Sequence, residues 1–339
     1  MSFSESHEEG ALLDKGGGMV DHSRKTGYFM VLLAGCLWGT IGLFSTALNS
    51  CGVDSETVAF LRLAVGTLAL IPVLLLVGGT KLFKIDAKGL VIAMAFGILG
   101  QALFNISYAE AIELIGMSVA AVLLYTSPVF VTIMSAAFFH EKIGYKKTIA
   151  LVVNIVGCVL TVTGGHFNLS GLSLFGIIAG IASGFFYASM TIISTAGLKK
   201  YPPLSILFYG LLFGTLGVAV IGHPFQHLAS VMNGPALLIA LGYGIIPTLC
   251  SYCFYMRGLQ CNLETSKVPV IASVETIVAS IIGIFVLHES AEIVKVLGIM
   301  VVFTSIIIMS MPAPARRTRR LWNLRYHMLW HRVAHPFKF

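Results

Sequence analysis

Two ionisable side chains lie deep inside apolar stretches of the sequence, and they are the first candidates for chemistry. Arg62 lies about seven residues into an apolar segment, and Glu275 lies about nine residues into another. At 1.5 Å of rise per helical residue, each is roughly 10–13 Å from the start of its segment. A charged group inside a membrane costs about 2.5–3.5 kcal/mol on insertion scales, so it rarely persists without a role.

The two segments enter a hydrocarbon core about 30 Å thick from opposite faces. We therefore predict that Arg62 and Glu275 face a common polar cavity near the middle of the membrane. Such a pair could exchange a proton, or the ammonium and carboxylate of a substrate, for its own contacts. The structural alternatives are an Arg62 that caps backbone carbonyls and a protonated Glu275 hydrogen-bonded between helices.

Aromatic side chains form a second group of candidates. Tyrosine combines an apolar face with one hydrogen-bonding group, which suits a cavity that accepts varied metabolites. The alternative is ordinary packing between helices. Two amides, Gln101 and Asn105, accompany this group. The predicted substrate-binding residues are Trp38, Arg62, Tyr108, Tyr125, Tyr187, Tyr252, Tyr255 and Glu275.

Ten apolar segments must position these residues. The chain is 57% hydrophobic and 11% charged, whereas soluble proteins are about 25% charged. A helix needs about 20 apolar residues to cross a bilayer. Long unbroken apolar runs exclude a β-barrel, so we predict an all-α polytopic membrane protein. The predicted spans are 28–48, 55–77, 88–109, 116–139, 147–164, 173–198, 204–222, 235–257, 266–287 and 293–311.

The basic residues orient these spans. Of the 22 Lys and Arg residues, 20 fall on one side of the ten-span topology, Lys295 alone falls on the other, and Arg62 is within a span. Loops rich in Lys and Arg stay in the cytoplasm. We therefore predict a multi-pass protein of the cell membrane with both termini cytoplasmic. The net charge of +7 follows from this sorting and from a basic tail, so no nucleic-acid partner is expected.

The two halves of the chain repeat one another at an offset of 147 or 148 residues. Residues 90–98 and 237–245 share five identities in nine positions, Tyr108 aligns with Tyr255, and His140-Glu141 aligns with His288-Glu289. Each copy has five spans, an odd number, so the second copy is inverted in the membrane. Inverted repeats recur in secondary transporters. The predicted organisation is a leader at 1–27, repeats at 28–165 and 173–311, and a basic tail at 312–339.

Other sequence features limit the alternatives. Gly35 and Gly39, like Gly176 and Gly180, are four residues apart and favour close helix contacts, either for sliding or for static packing. The sequence contains no metalloprotease, nucleophile-elbow or phosphate-loop motif, so no enzymatic activity, cofactor or metal is expected. The tail suits a surface helix on anionic lipid or a disordered cationic segment. A non-transporting membrane scaffold or an intramembrane enzyme is the alternative from a different class, although a scaffold would explain neither the repeat nor the buried charges.

The chain also resembles a known family, the EamA-type branch of the drug/metabolite transporter superfamily. The resemblance is carried by Trp38-Gly39, Phe60-Leu61-Arg62, Tyr108-Ala109, the Tyr125 to Val129 segment, and glutamates at 141 and 289. It implies ten helices in two repeats and the export, or less often import, of small polar metabolites such as amino acids. Glu141 and Glu289 are expected to organise loops rather than to contact substrate.

Two departures from the family pattern stand out. Glu275-Thr276 replaces a Ser-Pro pair that the first repeat has at Ser127-Pro128, so a helix break is not expected in the ninth span. His140 and His288 precede the closing glutamates where glycine is commoner.

The predicted function is a secondary transporter of amino-acid-like metabolites that works by alternating access. Export with protons as a coupling ion is favoured, and an importer or a lipid-linked carrier flippase is the alternative. Besides a small-molecule substrate, the expected partner is the lipid bilayer. The sequence assigns neither a particular substrate nor an oligomeric state.

Overall fold

In the computed structural model, residues 23–166, 173–222, 224, 234–288, 290 and 292–311 are described. Ten of their helices are long and apolar enough to cross a membrane, which confirms the predicted fold class. The predictions for the first 22 residues of the leader, for Glu289 and for the tail concern residues outside this part of the chain. Spans 1 to 10 are Ser23–Ser50, Ser55–Phe83, Ala87–Ile115, Met117–Phe139, Tyr145–Thr163, Leu174–Gly197, Pro203–Ile221, Gly234–Leu259, Thr265–Phe285 and Ile293–Ser310.

Polar side chains fix where several spans begin. The carboxylate of Asp54 accepts a hydrogen bond of 3.0 Å from the Thr57 amide at the start of span 2. Asp86 accepts one of 2.8 Å from Gly89 at the start of span 3. Such caps satisfy amides that have no partner within the helix. We call the span ends predicted to face the cytoplasm the inner ends, so Asp86 lies at an inner end.

His140 and His288 share a backbone conformation that is unusual for residues other than glycine. Both residues adopt left-handed backbone conformations, with φ of 54° and 56°. This conformation closes helices and favours glycine, which has no Cβ to clash. His140 is the residue that ends span 4, and the same conformation recurs at His288, 148 residues later and three residues beyond the end of span 9, although neither site has glycine.

Spans 3 and 8 each contain a six-residue π-helical segment. The segments are Ile98–Leu103 and Ile245–Cys250, and they coincide at the repeat offset of 147 residues. A π-helical turn widens the backbone locally and is frequent at functional sites. Apolar periodicity carries no signal for this change in hydrogen bonding, and the sequence did not predict it.

Three spans are interrupted near their own middles. Span 1 is non-helical at residues 39–40, span 4 at Tyr125 and Thr126, and span 9 at Ser273. The expectation that span 9 lacks a break was therefore wrong. The Ser273 hydroxyl donates a 2.6 Å hydrogen bond to the Val270 carbonyl at this break, which no Ser-Pro pair marks in the sequence.

The two repeats are related by a pseudo-twofold axis between spans 2 and 7. The hydroxyls of Thr67 and Thr215, 148 residues apart, lie 3.3 Å from each other. A Cβ on Gly66 would be 3.4 Å from the carbonyl oxygen of Gly244, and one on Gly214 would be 3.4 Å from that of Gly97. This reciprocity is what twofold symmetry requires.

Around this axis, spans 2, 3, 7 and 8 contribute most of the largest apolar core. Its fully buried members include Leu63 and Leu70 of span 2, Phe96 of span 3, Leu207 of span 7 and Met256 of span 8. These four helices therefore form a packed scaffold. Interrupted span 9 packs instead against spans 1, 4, 5 and 6.

Alanine at Gly97 is expected to destabilise this scaffold. Its Cβ would lie 2.3 Å from the Gly210 carbonyl oxygen and 2.8 Å from the Gly214 amide nitrogen, so backbone must move. Overpacking of this kind costs about 1–3 kcal/mol. Gly97→Ala should lower the unfolding temperature of the detergent-solubilised protein. Gly42→Ala is the matched control, because nothing lies within 4 Å of its Cβ, and equal unfolding temperatures would contradict the close contact.

Candidate functional site

Trp38 forms the centre of an aromatic cluster. It ends the first helical part of span 1 and is 5% exposed. Its ring centroid lies 5.0 Å from that of Tyr255, 5.5 Å from Tyr252 and 6.4 Å from Tyr187. These edge-on and tilted contacts join span 1 to spans 6 and 8, and pairs of this geometry stabilise packing beyond the buried area alone.

Glycine lets span 1 approach the break in span 9. A Cβ on Gly35 would be 2.6 Å from the Ala272 carbonyl oxygen, and one on Gly39 would be 2.8 Å from that of Glu275. The predicted close contact at Gly35 and Gly39 is therefore present. It places the Trp38 cluster beside the start of the second half of span 9.

Glu275 lies at the second position of that half, the helix Val274–Phe285. Its side chain is half-buried and makes no hydrogen bond or ion pair with another described residue. It is close enough to interact electrostatically with five tyrosines and a cysteine. These are Tyr108, Tyr125, Tyr187, Tyr252, Tyr255 and Cys158. With Trp38, the structure thus brings seven of the eight predicted site residues around one region.

The wall beside Glu275 contains polar residues that sequence reasoning missed. Thr276 donates a 2.9 Å hydrogen bond to the Tyr125 hydroxyl. Behind it, the Asn154 amide donates to the hydroxyls of Ser273 at 2.6 Å and Ser305 at 3.0 Å. Asn154 is 1% exposed in span 5, and an asparagine within an apolar span was a signal that could have identified it.

Arg62 is buried at the junction of spans 2, 3 and 8. Its Nη2 donates a 3.1 Å hydrogen bond to Asn105 Oδ1, and its guanidinium carbon lies 5.8 Å from the ring centroid of Tyr243. Its Nε is buried without a hydrogen-bond partner. Among the described residues no carboxylate, including that of Glu275, lies within ion-pair distance of Arg62.

A chain of hydrogen bonds joins Arg62 to the aromatic cluster. Asn105 donates to the Gln101 carbonyl oxygen at 2.6 Å, and the Gln101 side-chain amide donates to the Tyr252 hydroxyl at 2.8 Å. Gln101 belongs to the π-helical segment of span 3. Tyr252 interacts electrostatically with both Arg62 and Glu275, so both charges lie near this tyrosine although they are not within ion-pair distance of each other. The structure therefore separates them instead of pairing them.

Repeat-equivalent tyrosines have different environments. Tyr255, in the inner half, is 2% exposed, and its hydroxyl lies 2.7 Å from Thr191 Oγ1. Tyr108, in the outer half, is half-buried and stacks on Phe104 at 6.1 Å, and its hydroxyl has no hydrogen-bond partner among the described residues. On its inner side, the region around Glu275 is therefore bounded by the buried contact between Tyr255 and Thr191, which we call the seal, whereas Tyr108 on the outer side is partly exposed.

A polar clasp closes the inner ends of spans 4, 5 and 9. Glu141 accepts hydrogen bonds from the amides of Thr265 and Ser266, which begin span 9. Lys147 of span 5 lies 3.6 Å from Glu141 and 2.8 Å from Glu264. Glu141 thus organises the polypeptide across the two repeats and lies apart from the Trp38 cluster.

Glu264 titrates so that this clasp persists at neutral pH. Burial alone would raise the pKa of its carboxyl, but hydrogen bonds from Lys147 and Lys267 outweigh burial and lower the pKa below its usual value. A lowered folded-state pKa stabilises the fold at and above neutral pH. The stabilisation is lost only as the pH falls through that lowered value.

Ten membrane-spanning helices in two repeats, around a region lined by aromatic and polar side chains, define a membrane transporter of the two-repeat type. The sequence profile of the EamA-like transporter family matches both halves, at residues 25–163 and 174–311. The chain belongs to this family, and the fold expected from the resemblance is confirmed.

Individual proteins are similar over most of the chain. An uncharacterized transporter of Archaeoglobus fulgidus is 29% identical over 82% of this chain and 94% of its own length. The pseudopaline exporter CntI of Pseudomonas aeruginosa is 27% identical over 70% of this chain and 79% of its own. A solved crystal structure of a protein superposes with a TM-score of 0.73 at 14% identity, covering 84% of this chain and 96% of that one, which supports the fold alone.

Proposed function

We propose that this protein is a secondary transporter that exports amino-acid-like metabolites across the cell membrane in exchange for protons. The observation that carries the proposal is Glu275, a carboxyl at membrane depth, half-buried among tyrosines, with no partner among the described residues. An ionised carboxylate in such a place is costly unless a cation accompanies it. Either a proton or the ammonium group of a substrate can supply that cation.

Competition between these two cations would couple their movements. When a substrate ammonium binds Glu275 from the inner side, the proton leaves. When the substrate departs on the outer side, a proton takes its place. Because one carboxyl accepts either cation but not both, each substrate exported corresponds to one proton admitted. A single buried acidic group is therefore sufficient for exchange.

Arg62 supplies the complementary charge for the substrate carboxylate in this proposal. Its guanidinium is 6% exposed and has no carboxylate partner in the described chain, so an incoming carboxylate would satisfy a buried cation. The tyrosines between Arg62 and Glu275 would contact the remainder of the substrate. This arrangement favours zwitterions over simple amines or acids.

The unequal environments of Tyr108 and Tyr255 support alternating access. A buried Tyr255 on the inner side and a partly exposed Tyr108 on the outer side are what an outward-open state of the predicted topology would require. Exchange of conformation between the two repeats would close Tyr108 and open Tyr255. The similarity to a protein named as an exporter supports the direction.

Purified protein in liposomes tests this function. Labelled amino acids should move across the membrane, and a pH gradient should drive them against their concentration gradient. Empty liposomes treated in the same way are the control. If none of the amino acids moves with any gradient, the proposed function is wrong.

Loss of the Tyr255 hydroxyl is expected to favour the inward-open state. Tyr255→Phe removes the hydrogen bond to Thr191, a contact worth about 0.5–1.5 kcal/mol, which corresponds to a shift of about 2–10-fold in the conformational equilibrium. Spin labels at the exposed positions Lys142 and Gln260 should report a larger population of long distances at the inner ends.

Two variants check the interpretation of this shift. Thr191→Val removes the other partner and should produce the same change. Thr195→Val, one helical turn away, removes only a bond within span 6 and should leave the distances unchanged. An unchanged distribution in Tyr255→Phe would show that this hydrogen bond does not hold the inner side closed.

A further inference from the structure

A second pocket opens at the inner ends of spans 4, 6, 8 and 9. It encloses about 230 Å³, several times the volume of a water molecule. Its polar lining comprises Glu141, Thr195, Lys199, Gln260, Asn262 and Thr265. Because Glu275 and the Trp38 cluster contribute nothing to this lining, the pocket is distinct from the region around them.

The pocket lies directly inside the seal at Tyr255. Thr195 follows Thr191 by one helical turn in span 6, and Leu259 follows Tyr255 by one turn in span 8. The hydrogen bond between Thr191 and Tyr255 therefore separates this pocket from the region around Glu275. A solute that approaches from the inner side would meet the pocket first.

Lys199 is the cation of the pocket that has no anionic partner. Nearby lysines at the inner ends, Lys147, Lys200 and Lys267, each lie within 3.6 Å of a carboxylate oxygen. In the described part of the chain, Lys199 has no such carboxylate, and its ammonium lies 4.6 Å from the ring centroid of Phe139. A cation–π contact at an exposed site is worth about 0.5–1 kcal/mol, so it leaves the ammonium available to an anion.

The opposite side of the pocket carries negative charge and amide groups. Glu141 faces it with a side chain that is 14% exposed. Asn262 holds a left-handed backbone conformation, with φ of 53°, and lines the same space. A positive group, a negative group and a neutral amide within one small pocket match the carboxylate and ammonium of a zwitterion.

We propose that this pocket is a loading site that binds small zwitterions of the amino-acid class before the seal opens. The proposal rests on the proposed function, because it identifies the loaded solute with the exported one. Lys199 binds the carboxylate, and the side-chain oxygen of Asn262 accepts a hydrogen bond from the ammonium. Asn262 has this role because the oxygens of Glu141 are already occupied by Thr265, Ser266 and Lys147. The site raises the local concentration of solute beside the seal without taking part in proton exchange.

Kinetics measured from each side test the loading site. Lys199→Gln should raise the KM for a labelled amino acid about 2–5-fold in inside-out vesicles, as expected for loss of an exposed ion pair. In right-side-out vesicles the KM should not change. Lys199→Arg should restore the wild-type value. Lys200→Gln is the matched control, because Lys200 follows Lys199 in the sequence but pairs with Asp86 outside the pocket. An equal KM in Lys199→Gln and wild type, or an equal change from both sides, would overturn the proposal.

A second measurement does not depend on transport. In a Thr195→Cys variant, a thiol reagent applied from the inner side should label the pocket above the background of the six native cysteines. Individual amino acids at millimolar concentration should slow this labelling, and Lys199→Gln should abolish the protection. If no amino acid protects the thiol, the loading site is refuted, even where transport is found. Protection without transport would instead refute the proposed function alone.

Discussion

Replacing Glu275 by glutamine is expected to abolish accumulation driven by a pH gradient. A one-to-one exchange driven by one pH unit supports up to about a tenfold concentration ratio, since a tenfold ratio corresponds to about 1.4 kcal/mol. Glutamine has the same shape but cannot exchange a proton. In proteoliposomes, Glu275→Gln should therefore approach a ratio of one, whereas wild type exceeds it.

The control for this experiment is another carboxylate of the chain. Glu113 is exposed near the outer end of span 3, outside the group of residues that interact with Glu275. Glu113→Gln should retain the full gradient-driven ratio. If Glu275→Gln also retains it, protons do not couple through this carboxyl. Its role would then be confined to substrate binding or to hydrogen bonding between helices.

Replacing Arg62 by glutamine is expected to remove selectivity for substrates that carry a carboxylate. Hydrogen bonds to charged groups contribute about 1.5–3 kcal/mol, which corresponds to about 10–100-fold in affinity. Inhibition of transport by an amino acid should therefore weaken by this factor in Arg62→Gln. Inhibition by the corresponding amine, which lacks the carboxylate, should remain close to that of wild type.

This comparison separates recognition from structural support. Arg62 also bonds Asn105 and lies over Tyr243, so its loss could instead loosen spans 2, 3 and 8. In that case the amino acid and the amine would lose affinity equally, and the unfolding temperature would fall. Arg257→Gln is the matched control, because this exposed arginine bonds Gln260 at the inner end of span 8.

The ten spans could be predicted from composition because their lengths follow from the thickness of the membrane. The ends were less certain where polar residues continue a helix. Span 3 was predicted to end at 109 but continues to Ile115, past Glu110 and Glu113. Those carboxylates lie beyond the apolar stretch, yet the backbone there still forms helical hydrogen bonds. The length of an apolar stretch in the sequence therefore indicates how much of a helix is buried, not where the helix ends.

Breaks within the spans depended on local bonding that the pattern does not record. Span 4 is interrupted next to Pro128, but span 9 is interrupted at Ser273, whose hydroxyl bonds a backbone carbonyl. Serine occurs in many unbroken helices, so its presence alone was no signal. The paired π-helical segments were equally hidden, although their positions follow the repeat once one of them is known.

The candidate site was predictable as a set of residues but not as a set of contacts. Depth along a helix placed Arg62 and Glu275 at similar levels, and the structure shows no ion pair between them. Depth does not determine the direction in which a side chain points or which helices are neighbours. The tyrosines were easier, because Tyr108 and Tyr255 are related by the repeat and both lie near Glu275.

The contact between Thr67 and Thr215 has a consequence for the energetics of the proposed cycle. A point on a twofold axis keeps its position when the two repeats exchange conformations. The distance between Thr67 and Thr215 should therefore change little during the transport cycle. If the two halves were identical, the inward-open and outward-open states would have equal free energies. Any intrinsic preference must then arise where the copies have diverged, as at Arg62 and its counterpart Gly210, or Glu275 and its counterpart Ser127. Charge, placed in only one copy, would therefore give the two end states of the proposed cycle unequal free energies, while the gradients of substrate and protons would set the direction of net transport.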